Sequence, residues 1–510
     1  MRFLSEWHAR SLLRGEHNEN DLARRTRRRL ILQRACGCLL TGVVVTAGVS
    51  AQGPPRLTLA QAVQGALVMN DRMIAQNDTA EQANLGVRLA RNNFQPKLVP
   101  NVLGSFGQSD VSNQTYRLDL TQKLTTGTEL RAGVGTTSAQ IPGASGIPGQ
   151  SDIRFYNTDT TLTVSQPLLR GFGPTVSRRN LTSAEQKEID ARRQRTLAEQ
   201  QVTVEVASAY YRLVAQQTLV EVARKSLDRA RRLRDASEAK LDAGLVSQLD
   251  VFRAQQLVAQ AEIQLFDAES SVEDAHDQLA FLIGRESGVA FDVATDIPKA
   301  VDPIAADEAV ATALERRLDL QSAMAAAAEA DRATAYARNQ LLPQVDVNLA
   351  MTRRQTADSF TNSFGLDKFQ AVTFFSISMP VDRTPGLIDY QNALIDRDRR
   401  RREIETLQRR IRDDVKRAVR ERDRVIRSLA AAETSVEIGQ KEVEVAQLRY
   451  ERGLSNNLDV VTAEASLLSA EARRISALAD AATSRIGLRA VLGLLDPRKD
   501  IVEVADASGR

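Results

Sequence analysis

The sequence Gly244-Leu245-Val246-Ser247-Gln248-Leu249-Asp250-Val251 decides the fold, because a second version of it follows 209 residues later as Gly453-Leu454-Ser455-Asn456-Asn457-Leu458-Asp459-Val460. Three further pairs of segments match in the same order along the chain: Ala90–Leu98 with Ala337–Val345, Thr163–Pro167 with Ser376–Pro380, and Leu279–Gly284 with Leu488–Gly493. Four matches in one order indicate a tandem duplication. We place the first repeat at residues 57–300, the second at 301–495 and a short C-terminal tail at 496–510.

The segment before each Gly-Leu turn is long and almost free of helix breakers. Residues 174–243 contain no glycine and no proline after Pro174, and residues 387–452 contain only Gly439. At 1.5 Å per residue, each segment predicts a helix of roughly 100 Å. Such helices need partners of similar length, and the segment after the first turn offers a seam at steps of three and four: Ala254, Leu257, Ala261, Leu265, Ala268, Val272, Ala275, Leu279 and Leu282.

A β segment precedes each long helix. In the second repeat, apolar residues alternate with polar ones at 345–349 and again at 375–379. Prolines mark the junctions between the β segments and the helices, at Pro96, Pro167, Pro343 and Pro380. Each strand has about ten residues, which is enough to cross a membrane when the strand is tilted.

The first repeat has 34 additional residues between Leu98 and Thr163. Alternating residues from Tyr116, a turn at Thr126-Gly127 and further alternation from Leu130 predict an added β-hairpin at about 115–138. Two β-pairs give four strands per chain, whereas the hairpin would make six. The pattern leaves open whether the hairpin joins the wall or lies outside it.

The N-terminus predicts a secretory signal peptide, residues 1–51, that is cleaved near Ala51. Arginines precede an apolar stretch at 36–49, which is too short to span a bilayer as a helix. Without residues 1–51 the formal net charge falls from +3 to −2, so the basic isoelectric point is no argument for nucleic acid binding. We interpret the basic run Arg397–Arg427 as a solvated or pore-lining helix face, because an apolar seam continues through it.

The distribution of reactive side chains argues against an enzyme. Both cysteines, Cys36 and Cys38, lie in the first 40 residues, and His276 is the only histidine beyond residue 50. A Cys-based zinc site, a disulfide framework and a Cys–His nucleophile pair are therefore excluded from the rest of the chain. We expect no cofactor.

Exposed sheet edges cannot persist in lipid, since each unpaired backbone group costs several kcal/mol there. Four strands cannot close a membrane barrel, because the smallest barrels have eight. We therefore expect several copies of the chain to share one barrel, with the long helices continuing it away from the membrane. The predicted fold is mainly α with membrane β: a duplicated chain that forms, as an oligomer, a transmembrane β-barrel continued by a long α-helical barrel.

The duplication, the junction prolines and the two Gly-Leu turns resemble the TolC-like outer-membrane efflux proteins over residues 57–495. The resemblance implies a homotrimer with a twelve-strand barrel in the outer membrane and a long periplasmic helical tunnel. The trimer would dock to a periplasmic adaptor and an inner-membrane pump of an efflux or type I secretion system. The alternatives are a periplasmic adaptor and a structural periplasmic coiled coil. Neither accounts for β-pairs that return at matching places in both repeats.

The resemblance also implies a gate at the periplasmic tip. Asp459 matches a constricting aspartate, Thr462 replaces a second one, and Ser455 replaces the arginine that closes the entrance. Tyr450 matches a tyrosine of the closing network, and Asp250 matches its partner on the first repeat. Gly244-Leu245 and Gly453-Leu454 would be the adaptor-docking turns. Alternatively, Asp250 and Asp459 only cap their helices, where carboxylates favour the N-terminus.

Overall fold

The structure is a computed structural model that describes residues 56–104, 112–141, 153–286, 288, 291–294, 297, 304–364 and 368–499. The predicted signal peptide and all but four residues of the predicted C-terminal tail lie outside the described residues.

The first repeat begins with a short strand and two helices, β1 (Arg56–Leu57), α1 (Leu59–Met69) and α2 (Asp71–Asn92). Four long strands follow: β2 (Lys97–Gly104), β3 (Ser112–Lys123), β4 (Glu129–Ile141) and β5 (Ile153–Pro167). The repeat is completed by α3 (Pro174–Ser177), α4 (Arg179–Asp242), α5 (Gln248–Leu282) and the short strand β6 (Asp292–Val293).

The second repeat has the same order with two strands fewer in its sheet. It contains α6 (Ala306–Arg316), α7 (Leu318–Gln340), β7 (Gln344–Ala357), α8 (Phe360–Ser363), β8 (Gln370–Ser378), α9 (Thr384–Glu451) and α10 (Asn457–Val491). The helices α4 and α9 have 64 and 68 residues, which correspond to roughly 100 Å each. Both long helices predicted from the sequence are thus present.

One predicted helix is divided. The sequence Thr58-Leu59-Ala60-Gln61 has the pattern of a capping box and predicts one helix that ends near Asn93. The capping box is present. The chain breaks at Asn70, which has an extended backbone, and α2 starts there. The Asn70 side chain accepts a hydrogen bond from the Arg72 N–H and donates one to the Leu282 carbonyl, so the break is fixed by the end of α5.

The long strands form one antiparallel sheet in the order β2-β3-β4-β5-β7-β8. Strand β5 of the first repeat pairs directly with β7 of the second, so both repeats contribute to the same sheet. The predicted hairpin is β3–β4, and it lies within the sheet between β2 and β5.

The sheet has one apolar and one polar face, because side chains alternate along each strand. One row of paired positions crosses five strands on the apolar face: Leu98, Leu120, Ala132, Leu162 and Met351. The next row, on the opposite face, is Val99, Asp119, Gly133, Thr161 and Thr352. This alternation suits a wall between lipid and water.

The helices pack side by side along their length. Helix α4 contacts α2 and α7 towards the sheet, α5 beyond them, and α10 of the second repeat, while α9 contacts α6, α7 and α10. Much of the predicted seam of α5 is buried, at Ala254, Ala261, Ala275 and Leu279. Among the described residues, none of the helices combines the length and apolar character that crossing a bilayer would require.

Candidate gate at the helical tips

The two Gly-Leu turns have nearly the same backbone. Gly244 and Gly453 adopt φ angles of 74° and 68°, the left-handed conformation that ends a helix at low cost only for glycine. The Leu245 N–H donates to the Lys240 carbonyl and the Leu454 N–H to the Arg449 carbonyl, both at 2.8 Å. Leu245 and Leu454 are each 73% exposed. Each repeat therefore has a turn of the same geometry at its helical tip, and each turn exposes one leucine side chain.

Asp250 is buried in the first turn of α5. Its Oδ2 accepts hydrogen bonds from the Ser247 N–H at 3.2 Å and the Ser247 hydroxyl at 2.8 Å. The Arg253 guanidinium lies 3.6 Å from the other carboxylate oxygen. Capping, one of the two interpretations of Asp250, is therefore realised in the structure.

Asp459 occupies the matching position of α10 but has different surroundings. It is exposed, and no hydrogen bond or ion pair to its side chain is found within the described part of the chain. The helix is capped instead by Asn456, whose side chain accepts from the Leu458 N–H at 3.2 Å. Asp459 lies in the first turn of α10, where a carboxylate favours the helix N-terminus, but it forms no capping hydrogen bond among the described residues.

Thr462 and Ser455 flank Asp459 on the same turn. The exposed Thr462 donates its hydroxyl to the Leu458 carbonyl at 2.8 Å, a bond within its own helix. Ser455 Oγ is buried without a hydrogen-bond partner among the described residues. Among the described residues, neither side chain bonds to the first turn.

Tyr450 joins the two repeats through a partner that the sequence did not identify. Its hydroxyl lies 2.9 Å from Ser237 Oγ on α4, where both residues are buried. Ser237 donates to the Leu233 carbonyl, so Tyr450 is the donor to Ser237. The ammonium of Lys240 lies 3.8 Å from the centre of the Tyr450 ring and donates to the Tyr450 carbonyl. Within one chain Tyr450 therefore bonds to Ser237 and not to the Asp250 side chain.

Asn457 forms a further tie between the turns. Its side-chain amide is fully buried and donates to the Asp250 carbonyl, which connects the start of α10 to the start of α5. The Asn457 Oδ1 has no hydrogen-bond partner within the described residues. The sequence did not indicate this role for Asn457, because asparagine is common near the start of a helix and its partner is distant in the sequence.

Deeper between the repeats lies a buried ion pair. Arg229 Nε on α4 donates to Glu464 Oε2 on α10 at 2.6 Å, and Gln447 Nε2 on α9 donates to the other carboxylate oxygen at 3.2 Å. The side chains of Arg229 and Glu464 are only 19% and 5% exposed. A cavity of about 270 Å³ lies beside the pair and extends to Tyr450. One carboxylate thus connects three helices from both repeats.

Glu471 lies further along α10. Burial raises the pKa of its carboxyl, against the opposing effect of Arg229 and Lys225. The neighbouring Glu464 raises the pKa of Glu471 further, because two carboxylates in one region repel. Among the described residues, no group of three or more His, Cys, Asp or Glu side chains is placed to hold a metal ion.

Comparisons with known proteins agree with this architecture. A model of the outer membrane efflux protein family matches residues 62–285 and again 309–494, so it covers each repeat separately. A curated relative, the fusaric acid resistance protein FusA of Burkholderia cepacia, is 33% identical over 138 residues, which are 26% of this chain. The matched part spans only a quarter of FusA.

Solved structures of similar fold include two outer-membrane channels, OprN and MtrE, and an outer membrane protein, VceC. OprN is 19% identical with a TM-score of 0.64, and the match covers 85% of this chain and 89% of OprN. VceC of Vibrio cholerae is 16% identical with a TM-score of 0.64, over 85% of this chain and 96% of VceC. The open state of MtrE of Neisseria gonorrhoeae is 20% identical with a TM-score of 0.63, over 86% of this chain and 89% of MtrE.

Proposed function

Since this chain belongs to the outer membrane efflux protein family, a family of transport proteins and not of enzymes, we propose that three copies of it form an exit duct through the outer membrane. The duct receives substrates from the periplasm or from an inner-membrane pump and releases them outside the cell. The predicted signal peptide, cleaved near Ala51, would direct the chain there.

The single observation that carries the proposal is the amphipathic sheet that both repeats build together. Its outer strands, β2 and β8, each pair on one side only within the described residues. A sheet with an apolar face and two free edges is stable in lipid only when its edges are paired, and further copies of the chain supply the missing pairs.

The helices also offer surfaces for neighbouring copies. Apolar side chains on α5 are exposed at helical spacing, at Leu249, Phe252, Ile263 and Phe266, with 54%, 55%, 59% and 68% of their surface accessible. Helix α9 exposes Ile438, Val445 and Leu448 in the same way. Packing such a stripe against a helix of the next copy would remove it from water and close the helical barrel.

The helical tips are the proposed docking surface for a periplasmic adaptor. Leu245 and Leu454 are exposed on the two Gly-Leu turns, and apolar side chains of this kind anchor contacts between proteins. The partial similarity to FusA, whose name concerns fusaric acid resistance, supports a role in export of a toxic compound. We propose no particular cargo.

We further propose that the tip residues form the gate. Tyr450 and the Asn457 amide hold the two turns together, while Asp459 is free to face the entrance. Ser455 and Thr462 stand where an arginine and a second aspartate would strengthen closure. At the tip, closure therefore rests on the hydrogen bonds of Tyr450 and Asn457, while the Arg229–Glu464 ion pair joins the repeats further along the helices.

A periplasmic adaptor or a structural coiled coil is less well supported. Either would account for the helical hairpins. Neither of these two classes of protein accounts for a six-stranded sheet in which β5 of one repeat pairs with β7 of the other.

The proposal is tested with purified mature protein in planar bilayers. We expect stable ion conductance, together with fractionation in the outer membrane and slower gel migration before heating than after it. A water-soluble monomer that never enters bilayers would contradict the proposal.

The role of Asp459 is tested in the same bilayers. Asp459→Asn removes an exposed carboxylate from the entrance, so block by divalent cations weakens. Asp242→Asn, which removes an exposed carboxylate at the tip of the other repeat, is the matched control. Equal cation block in wild type and Asp459→Asn would remove Asp459 from the gate while leaving the duct itself intact.

A further inference from the structure

We propose that the β3–β4 hairpin is part of the membrane wall, so that each copy contributes six strands and a trimer closes an eighteen-stranded barrel through pairing of β2 of one copy with β8 of the next. This inference rests on the proposed function. It names the surface through which copies join and sets the width of the pore.

The hairpin is held on both sides by long ladders. Strand β3 pairs with β2 from Lys97↔Thr121 to Gly104↔Gln114, and β4 pairs with β5 from Glu129↔Ser165 to Ile141↔Ile153. Displacing the hairpin would break both ladders, and β2 would have to find β5 as a new partner. Each buried backbone group left unpaired in lipid costs several kcal/mol.

A charged cluster on the polar face connects strand β3 of the hairpin to strand β5. The Arg117 guanidinium on β3 contacts Asp119 on its own strand at 2.9 Å and reaches across β4 to Asp159 on β5 at 3.1 Å. A β4 side chain beneath this bridge would crowd its carboxylates and force them to shift. A Cβ on Gly133 would lie 2.6 Å from Asp119 Oδ1, and one on Gly135 would lie 3.2 Å from Asp159 Oδ1.

The pattern of glycines therefore matches the bridge. Gly133 and Gly135 are two residues apart on one face of β4, directly under a side chain that links β3 to β5. This arrangement has a purpose only if β3, β4 and β5 remain neighbours in one sheet.

The apolar face is also continuous through the hairpin. Leu118 of β3 pairs with Val134 of β4, in line with Pro100 of β2 and Thr160 of β5. Leu118 and Leu120 are 41% and 39% exposed, which suits contact with lipid.

The two free edges suit each other. With six antiparallel strands, β2 and β8 run in opposite directions, so β8 of one copy meets β2 of the next as an antiparallel pair. On the apolar face both strands expose large side chains, with Leu98 and Val102 at 61% and 72% and Phe375 and Ile377 at 70% and 73%. An even number of strands per copy closes the barrel without a parallel pair.

Disulfide formation in the assembled channel tests the strand order, because both native cysteines lie in the predicted signal peptide. We expect Leu98→Cys/Leu120→Cys to form an intramolecular disulfide on oxidation, since these positions pair directly. Leu98→Cys/Leu162→Cys is the matched control and should not react, because two strands separate its positions by roughly 14 Å and a disulfide needs Cα atoms within about 7 Å.

Peptide mass spectrometry identifies the bonds. A disulfide between positions 98 and 162 in place of the one between 98 and 120 would show that β2 pairs with β5 and would overturn the six-strand wall. Conductance of the same preparations is measured in parallel, so that an intact channel with the wrong disulfide rejects this inference and leaves the proposed function standing.

The joint between copies is tested with one cysteine on each edge strand. Leu98→Cys combined in turn with Ala371→Cys, Thr373→Cys, Phe375→Cys and Ile377→Cys covers every position of β8 on the apolar face. We expect one pair to give covalent trimers on a non-reducing gel. Conducting channels without covalent oligomers from any pair would overturn the β2–β8 joint.

Discussion

The two helical turns at the tip share a backbone and differ in chemistry. In the first repeat, Asp250 is buried and bonded to Ser247 and Arg253. In the second, Asp459 is exposed, and the Asn456 side chain caps the helix. The duplicated scaffold fixed the geometry of the turns, and a few substitutions then left one carboxylate structural and the other available to solvent. Residues at matching positions of a repeat therefore need not share a role.

The largest expected effect concerns the contact between the two pairs of long helices, α4–α5 and α9–α10. Glu464→Leu leaves Arg229 in a largely buried place without its partner, and we expect a loss of about 3 kcal/mol in unfolding free energy. Denaturant unfolding followed by circular dichroism in detergent measures it.

The double variant Arg229→Met/Glu464→Leu is the matched control. Replacing both charges by apolar side chains should recover most of the loss. If the double variant were as unstable as Glu464→Leu alone, the loss would come from packing and not from an unpaired charge.

The next prediction tests whether Gly244 and Gly453 have equivalent backbone conformations. Gly244→Ala and Gly453→Ala each place a Cβ in the left-handed conformation, with no neighbouring atom within 4 Å of it. We expect both to cost about 1–2 kcal/mol in the same unfolding measurement. Costs that differed by more than about 1 kcal/mol would contradict the equivalence.

A smaller effect separates the two carboxylates. Asp250→Asn loses hydrogen bonds to a buried carboxylate and should cost about 1–2 kcal/mol of unfolding free energy. Asp459→Asn should change stability by less than about 0.5 kcal/mol, because its side chain is exposed. Equal losses would show that Asp459 is also structural.

The smallest effect depends on pH. Because burial raises the folded-state pKa of Glu471, ionising this carboxyl costs the folded state stability, and the cost appears as the pH rises through that pKa. Glu471→Gln should match wild type at pH 4 and melt at a higher temperature at pH 7.

Glu437→Gln is the control of opposite sign. The hydrogen bond from Lys441 lowers the pKa of Glu437, so its ionised form stabilises the fold above the ordinary pKa of a glutamate, and this stability is lost as the pH falls through the lowered pKa. Its replacement should lower the melting temperature slightly at pH 7. A Glu471→Gln variant that melted lower than wild type at pH 7 would refute the assigned burial effect.

The sequence by itself determined the elements that depend on local order. The repeated Gly-Leu turns, the long segments without helix breakers and the junction prolines predicted the duplication, α4 and α9 and the ends of the strands, because periodicity and backbone freedom act over a few residues. The division at Asn70 was missed, since it depends on the Leu282 carbonyl, which is distant in sequence.

Only the tertiary structure decided which side chains meet. The hairpin β3–β4 was predictable as a hairpin, but its place between β2 and β5 follows from pairing across the sheet. The partners of Tyr450 and Glu464, which are Ser237 and Arg229, lie more than 200 residues away in the sequence. Which faces of two long helices touch depends on their rotation and offset, and local patterns do not fix these quantities.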